Sequence, residues 1–178
     1  MIRLFAAIAI PEEIGQGLAQ RQQGLPGAKW RPLASLHLTL RFFGELSEDR
    51  ADDLDVELTR VRGQPFALAL SGAGAFASGS DVRAVWAGVR ESADLTQLAG
   101  RCERAARRLG LPAEKRPYRP HVTLAYLAGA DPARVASWVQ GHNLLASPAF
   151  QVSAFGVYSS WRTSDGAHYR LECNYPLS

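Results

Sequence analysis

The sequence is poor in the residues that staple small proteins together. It has two cysteines, one methionine and four histidines in 178 residues. Neither a C-x-x-C pair nor an H-E-x-x-H signature occurs, which excludes a disulfide framework and the common zinc-site layouts. Cys102, on a helical pattern, and Cys173, near the C-terminus, are expected as buried free thiols. Long apolar runs are absent too: "LFAAIAI" after Arg3 falls far short of the ~20 residues that span a bilayer. With no signal-peptide layout at the N-terminus, the expectation is a cytoplasmic protein that does not engage the membrane. A G-x-x-x-x-G-K-[ST] loop is missing, and no helix opens after Gly72-Ala73-Gly74 or at Gly79, so ATP-driven chemistry has no support.

What is present suffices for a core. Apolar residues make up 47% of the chain, and its length reads as one domain over residues 1–178. The net charge is +3 but unevenly placed. Arg101 to Arg119 holds seven basic residues against Glu103 and Glu114, while Glu45 to Glu57 holds seven acidic residues against Arg50. Two readings stay open: solvated helix faces, or a basic surface that draws a polyanion toward the neighbouring His121.

The pattern along the chain alternates strands and helices. Ile2 to Ile10 reads as a buried strand, and Pro11, Glu12 and Glu13 open a helix running to about Gly24. A short strand near Trp30 precedes a strand from Leu36 to Phe43; Ser47 then caps an acidic helix that Gly63 stops. "PFALALSGAGAF" and "VRAVWAGV" read as a hairpin about the loop Ala77 to Asp81. Leu95, Leu98, Cys102, Ala105 and Leu109 recur at helical spacing up to Gly110. After a basic loop come a strand from His121 to Leu127, a helix from Asp131 to about Gly141, and strands near Phe150 to Ser159 and Tyr169 to Tyr175. This is an α+β pattern with weak twofold character.

Two of the four histidines lie in the same tetrapeptide, His-apolar-Thr-Leu: "HLTL" at His37 and "HVTL" at His121. Alternate residues of a strand share a face, so each histidine stands beside its threonine, about 6 to 7 Å along the strand. Two imidazoles on opposite sides of a substrate suit general acid and base catalysis near neutral pH. Thr39 and Thr123 add hydroxyl donors suited to the non-bridging oxygens of a phosphate. No third ligand accompanies the pair, and His142 and His168 read as structural or surface residues, so the expected phosphoester site uses no metal and no cofactor. Arg41 continues the phase of His37 and Thr39, either reaching phosphate or forming a strand-edge salt bridge. Tyr118 either stacks on a base or packs under its loop. Arg116 and Arg119 either contact an RNA backbone or are solvated.

These motifs resemble the paired HxTx signatures of the two-histidine phosphoesterases. The surrounding sequence is similar to the bacterial RNA 2′,3′-cyclic phosphodiesterase branch, also called 2′-5′ RNA ligases, through "RLFAAIAIP", "KWRPLASLHLTLRFFGEL", "LSGAGAF", "RAVWAGV", "EKRPYRPHVTLA" and "YRLECNYPL". The resemblance implies a bilobal fold, two antiparallel β-sheet lobes with flanking helices and pseudo-twofold symmetry about a central cleft. It implies His37 as proton donor, His121 as proton acceptor, and Thr39 and Thr123 as phosphate holders. The implied substrate is RNA with a 2′,3′-cyclic phosphate end, hydrolysed to a 2′-phosphate, with reversible 2′-5′ ligation as a further reaction; no obligate protein partner is implied. The alternatives are an RNA-end-binding module and a phosphodiesterase for small cyclic nucleotides or 2′-5′ oligonucleotides. One departure stands out: an arginine often follows the second motif where this chain has Tyr126, expected on the opposite strand phase from His121.

Overall fold

The computed structural model describes residues 1–178. Its elements are β1 (Ile2–Ala9), α1 (Glu12–Ala19), β2 (Lys29–Trp30), β3 (His37–Leu46), α2 (Glu48–Thr59), β4 (Phe66–Leu68), β5 (Leu70–Ser78), β6 (Asp81–Val89), α3 (Ala93–Arg108), β7 (His121–Tyr126), α4 (Pro132–Gly141), β8 (Phe150–Val152), β9 (Ala154–Thr163) and β10 (Gly166–Pro176). Local chemistry accounts for the helix starts. The Ser92 hydroxyl accepts from the Leu95 N–H to begin α3, and the Asp131 carboxylate accepts from the Ala133 N–H to begin α4, with Pro132 in its first turn. Ser47 occupies the cap position of α2 without a side-chain hydrogen bond. Helix α1 stops at Ala19 rather than near Gly24; Gly24 itself has a φ of 86°, a left-handed conformation that ends any helix.

Eight of the ten strands form one sheet in the order β10-β9-β1-β3-β7-β6-β5, with β2 joining it at β7, and β4 and β8 form a second, two-stranded sheet. Its two halves meet at one residue pair, Leu38 opposite Val122. Beyond that pair β3 and β7 part, and β2 pairs with the far end of β7, Lys29 with Tyr126 and Trp30 with Ala125. The two expected lobes are therefore halves of a continuous sheet that splays at its middle. The twofold character is explicit in the pairing. β1-α1-β3-α2-β4-β5 is repeated as β6-α3-β7-α4-β8-β9: β1 lies between β3 and β9 as β6 lies between β7 and β5, and β4 pairs with β8. The runs at Pro65 to Phe76 and Phe150 to Ser159, each expected as one strand, are both split, into β4 and β5 and into β8 and β9.

A core cluster of 39 buried residues contains Leu38, Leu40, Val122 and Leu124 of the motif strands together with Leu95, Leu98 and Cys102 of α3. Phe5, although only 2% exposed, lies outside this cluster and contacts His37. The helices thus cover one face of the sheet, and the histidines stand on the other. Both cysteines are free; Cys102 is buried and Cys173 half-buried. Burial pushes the Cys102 thiol up to about 12, so it packs as a small apolar group. Acidic α2 packs against basic α3, with Glu57 paired to Arg108 and Arg50 donating to the Leu109 carbonyl. Charges that are separated in sequence partly cancel in space.

Candidate active site

Each motif histidine begins its strand in the same setting. The Nδ1 of His37 lies 2.8 Å from the Ser35 carbonyl oxygen, and the Nδ1 of His121 lies 2.8 Å from the Arg119 carbonyl oxygen. A neutral imidazole donating at Nδ1 has its lone pair on Nε2, the nitrogen available to exchange a proton with a substrate. Aromatic rings frame both sides. Phe5 and Tyr169 lie 4.9 and 5.0 Å from the His37 ring, while Phe76 and Trp86 lie 4.7 and 6.0 Å from His121. Gly74 makes room for the indole, because a Cβ there would lie 2.3 Å from Trp86.

Burial sets the protonation of both rings. It pulls His37 down from 6.5 to about 4; the Ser35 carbonyl opposes the shift, and the charges of Arg31 and His121 add to it. His121 is lowered as well, by burial first, against its bond to the Arg119 carbonyl and with the Arg119 charge contributing. In the free protein both imidazoles are neutral at pH 7.

Thr39 and Thr123 follow on the histidine face, both half-buried. Immediately after each threonine the strand carries a bulge. Ala7 pairs with Thr39 but Ala6 with Arg41, leaving Leu40 unopposed; Trp86 pairs with Thr123 but Val85 with Ala125, leaving Leu124 unopposed. One extra residue reverses the inward and outward alternation beyond it. This overturns two expectations at once. Arg41 does not continue the phase of His37 and Thr39; it forms the salt bridge that was the other expectation, with the Glu103 carboxylate, and donates to the carbonyls of Phe42 and Pro112, while still bordering the cavity that Thr39 and His121 line. Tyr126 does not lie on the opposite phase from His121; it faces the cleft, half-exposed, with the Arg31 guanidinium 5.5 Å from its ring centroid.

Tyr118 resolves toward packing: its hydroxyl donates to the Thr39 carbonyl at 2.9 Å and its ring rests against the core. It ties the first motif strand to the loop that delivers the second histidine. Arg116 and Arg119 line a cavity of about 930 Å³ that also borders Thr39, Phe42, Phe76 and His121. Arg119 sits 6.0 Å from the Phe76 ring centroid. His142 stacks on Trp138, and His168 stacks on Trp161 and bonds Thr163, both away from the cleft. No three His, Cys, Asp or Glu side chains form a metal-ligand cluster.

Sequence reading missed Arg31 and Tyr169. Arg31 follows the two-residue strand β2, and Tyr169 reaches His37 from β10. Their signal is long-range: nothing in "KWRPLAS" reveals that β2 wedges between the parting motif strands.

Twin HxTx strands, repeated bulges and facing imidazoles across a splayed sheet define a two-histidine phosphoesterase. The 2′-5′ RNA ligase superfamily model matches residues 10–163, and the chain belongs to that family. It is 29% identical to an RNA 2′,3′-cyclic phosphodiesterase of Archaeoglobus fulgidus over 95% of this chain and 97% of the relative. It is 38% identical to the Escherichia coli protein of the same name over 68% and 70%, respectively. The crystal structure of E. coli LigT complexed with 3′-AMP superposes with a TM-score of 0.82 at 29% identity, covering 99% of this chain and 98% of LigT.

Proposed function

We propose that the chain, acting as one domain over residues 1–178, hydrolyses RNA 2′,3′-cyclic phosphate ends to 2′-phosphates by metal-independent acid–base catalysis. The observation that carries this reading is the matched pair of imidazoles, each held at Nδ1 by a carbonyl two residues upstream and each beside a threonine on the same face. Supporting it are the family and the relatives named for this activity.

His121, neutral in the free protein, takes the proton of the attacking water as the new O–P bond forms. The bond from phosphorus to the 3′ oxygen breaks, and His37 donates its proton to that oxygen. Thr39 and Thr123 hold the non-bridging oxygens. His37 must first gain a proton that the free protein does not favour; the negative charge of the bound phosphate supplies the driving force. With a 5′-hydroxyl in place of water, the same groups carry out the parallel displacement: His121 takes the hydroxyl proton, the bond to the 3′ oxygen breaks with a proton from His37, and a 2′-5′ linkage results. No helix is long and apolar enough to cross a membrane, and the proposed setting is cytoplasmic.

The test is incubation of the protein, with and without EDTA, with a panel of cyclic-phosphate-ended oligonucleotides and small cyclic nucleotides. The expected outcome is chelator-resistant conversion of the RNA ends. Conversion of small cyclic nucleotides alone would transfer the activity to that class, and binding without turnover would reduce the chain to an RNA-end-binding module.

A further inference from the structure

Arg31 is a buried cation without a counter-charge. Its residue is only 9% exposed, yet none of the chain's five ion pairs includes it. Its guanidinium donates to the Ala167 carbonyl at 3.1 Å and bonds the Tyr169 side chain, which leaves several of its five N–H donors without an acceptor. Burying a charge without a counter-charge is costly, and an anion arriving beside it would offset that cost.

The arginine is also firmly placed. Its backbone N–H donates to the Leu124 carbonyl at 2.8 Å, and its carbonyl accepts from Gln22 at 2.8 Å. Its guanidinium lies 5.5 Å from the Tyr126 ring centroid and 5.4 Å from that of Tyr169. Tyr169 in turn meets the His37 ring edge-on at 5.0 Å. Arg31 and His37 therefore flank one aromatic ring at the cleft. The rings orient the plane of the guanidinium without neutralising it.

We propose that Arg31 holds the substrate's phosphate on the His37 side of the cleft, its unused N–H groups contacting a non-bridging oxygen. This rests on the phosphoesterase reading of the site and adds a residue to it. A consequence follows for the proton donor. Around His37 the titratable or charged groups are Arg31, His121 and Tyr169, with Tyr126 beside Tyr169 and Tyr158 stacked on Phe5. Of these, Arg31 carries the standing positive charge, which adds to burial in lowering the imidazole. A phosphate bound to Arg31 offsets that charge and adds its own negative charge beside the ring, which favours protonation of His37 when substrate arrives.

The experiment uses the wild-type protein with Nε-labelled arginine and Cε1-labelled histidine, titrated by NMR with inorganic phosphate as the probe. Phosphate should shift the Arg31 Nε–H resonance and raise the pH midpoint of His37. Arg31→Ala should weaken phosphate binding roughly 10- to 100-fold, the range for a hydrogen bond to a charged group, and raise the His37 midpoint of the free protein. Arg31→Lys should restore the low midpoint and part of the affinity. An Arg31 resonance and His37 midpoint indifferent to phosphate in the wild type would overturn the proposal, whether or not the variants fold. Turnover retained by His37→Ala would instead remove the phosphoesterase reading and leave the anion site standing.

Discussion

The His37 and His121 sides of the cleft share a backbone but not an electrostatic setting. Both have a histidine tethered to a carbonyl two residues back, a threonine, and a bulge at the next residue. After the bulge they diverge: Arg41 is tied to Glu103 where Ala125 is buried in the core, and Phe42 faces the cleft where Tyr126 does on the other side. On the His37 side Arg31 lies beside tyrosine rings; on the His121 side Arg119 lies over Phe76. Duplicated backbone supplies two imidazoles, and the proposed mechanism gives them opposite tasks. Burial lowers both imidazoles, so the proposed donor, His37, depends on bound phosphate to gain its proton.

The largest effect should come from removing one imidazole at a time. His37→Ala and His121→Ala should each lower turnover roughly 10²- to 10⁴-fold with folding retained. The double variant should fall far short of the product of the two losses, because the pair works as a unit. Near-normal steady-state rates in either single variant would end the paired mechanism. A smaller loss should come from the aromatic floor of the His121 side. Gly74→Ala puts a Cβ into Trp86, and overpacking of this kind costs about 1 to 3 kcal/mol. Denaturant unfolding should register that cost, and turnover should fall with the displaced indole.

The two sides also separate in acid. Because the folded His37 titrates at about 4 and the ordinary imidazole at 6.5, the unfolded chain binds more protons between those values. The resulting stability is fully present above about pH 6.5 and is lost as the pH falls toward 4. Melting temperatures of the wild type should therefore drop more steeply across that window than those of His37→Asn; parallel profiles would remove burial as the cause of the shift. The smallest effect concerns the basic segment. Arg116 and Arg119 line the cavity beside His121, whereas Arg108 pairs with Glu57. Replacing Arg116 or Arg119 should reduce the salt slope of oligonucleotide binding by about 1 for each phosphate left without its arginine. Replacing Arg108 should leave the slope unchanged.

The sequence carries the element order and the central four residues because these rest on short-range patterns: strand alternation through His37 to Thr39 and His121 to Thr123, and helical spacing from Leu95 to Ala105. It does not carry the bulges. Leu40 and Leu124 are ordinary strand leucines, and their extra-residue positions exist only relative to β1 and β6. Every phase assignment past them inverted for that reason, in Arg41 as in Tyr126. Arg31 was invisible on different grounds: its neighbours Leu124, Tyr126, Ala167 and Tyr169 are brought together by pairings between distant strands.

The opposite roles of the two histidines are tested most directly by the position of the phosphate in the product. A cyclic-phosphate-ended oligonucleotide is incubated with EDTA-treated protein and the product read by phosphorus NMR. With His121 activating water and His37 protonating the 3′ oxygen, in-line displacement leaves a 2′-phosphate. A 3′-phosphate product would contradict the assignment, placing the 2′ oxygen beside the donor and reversing the substrate between the two motifs.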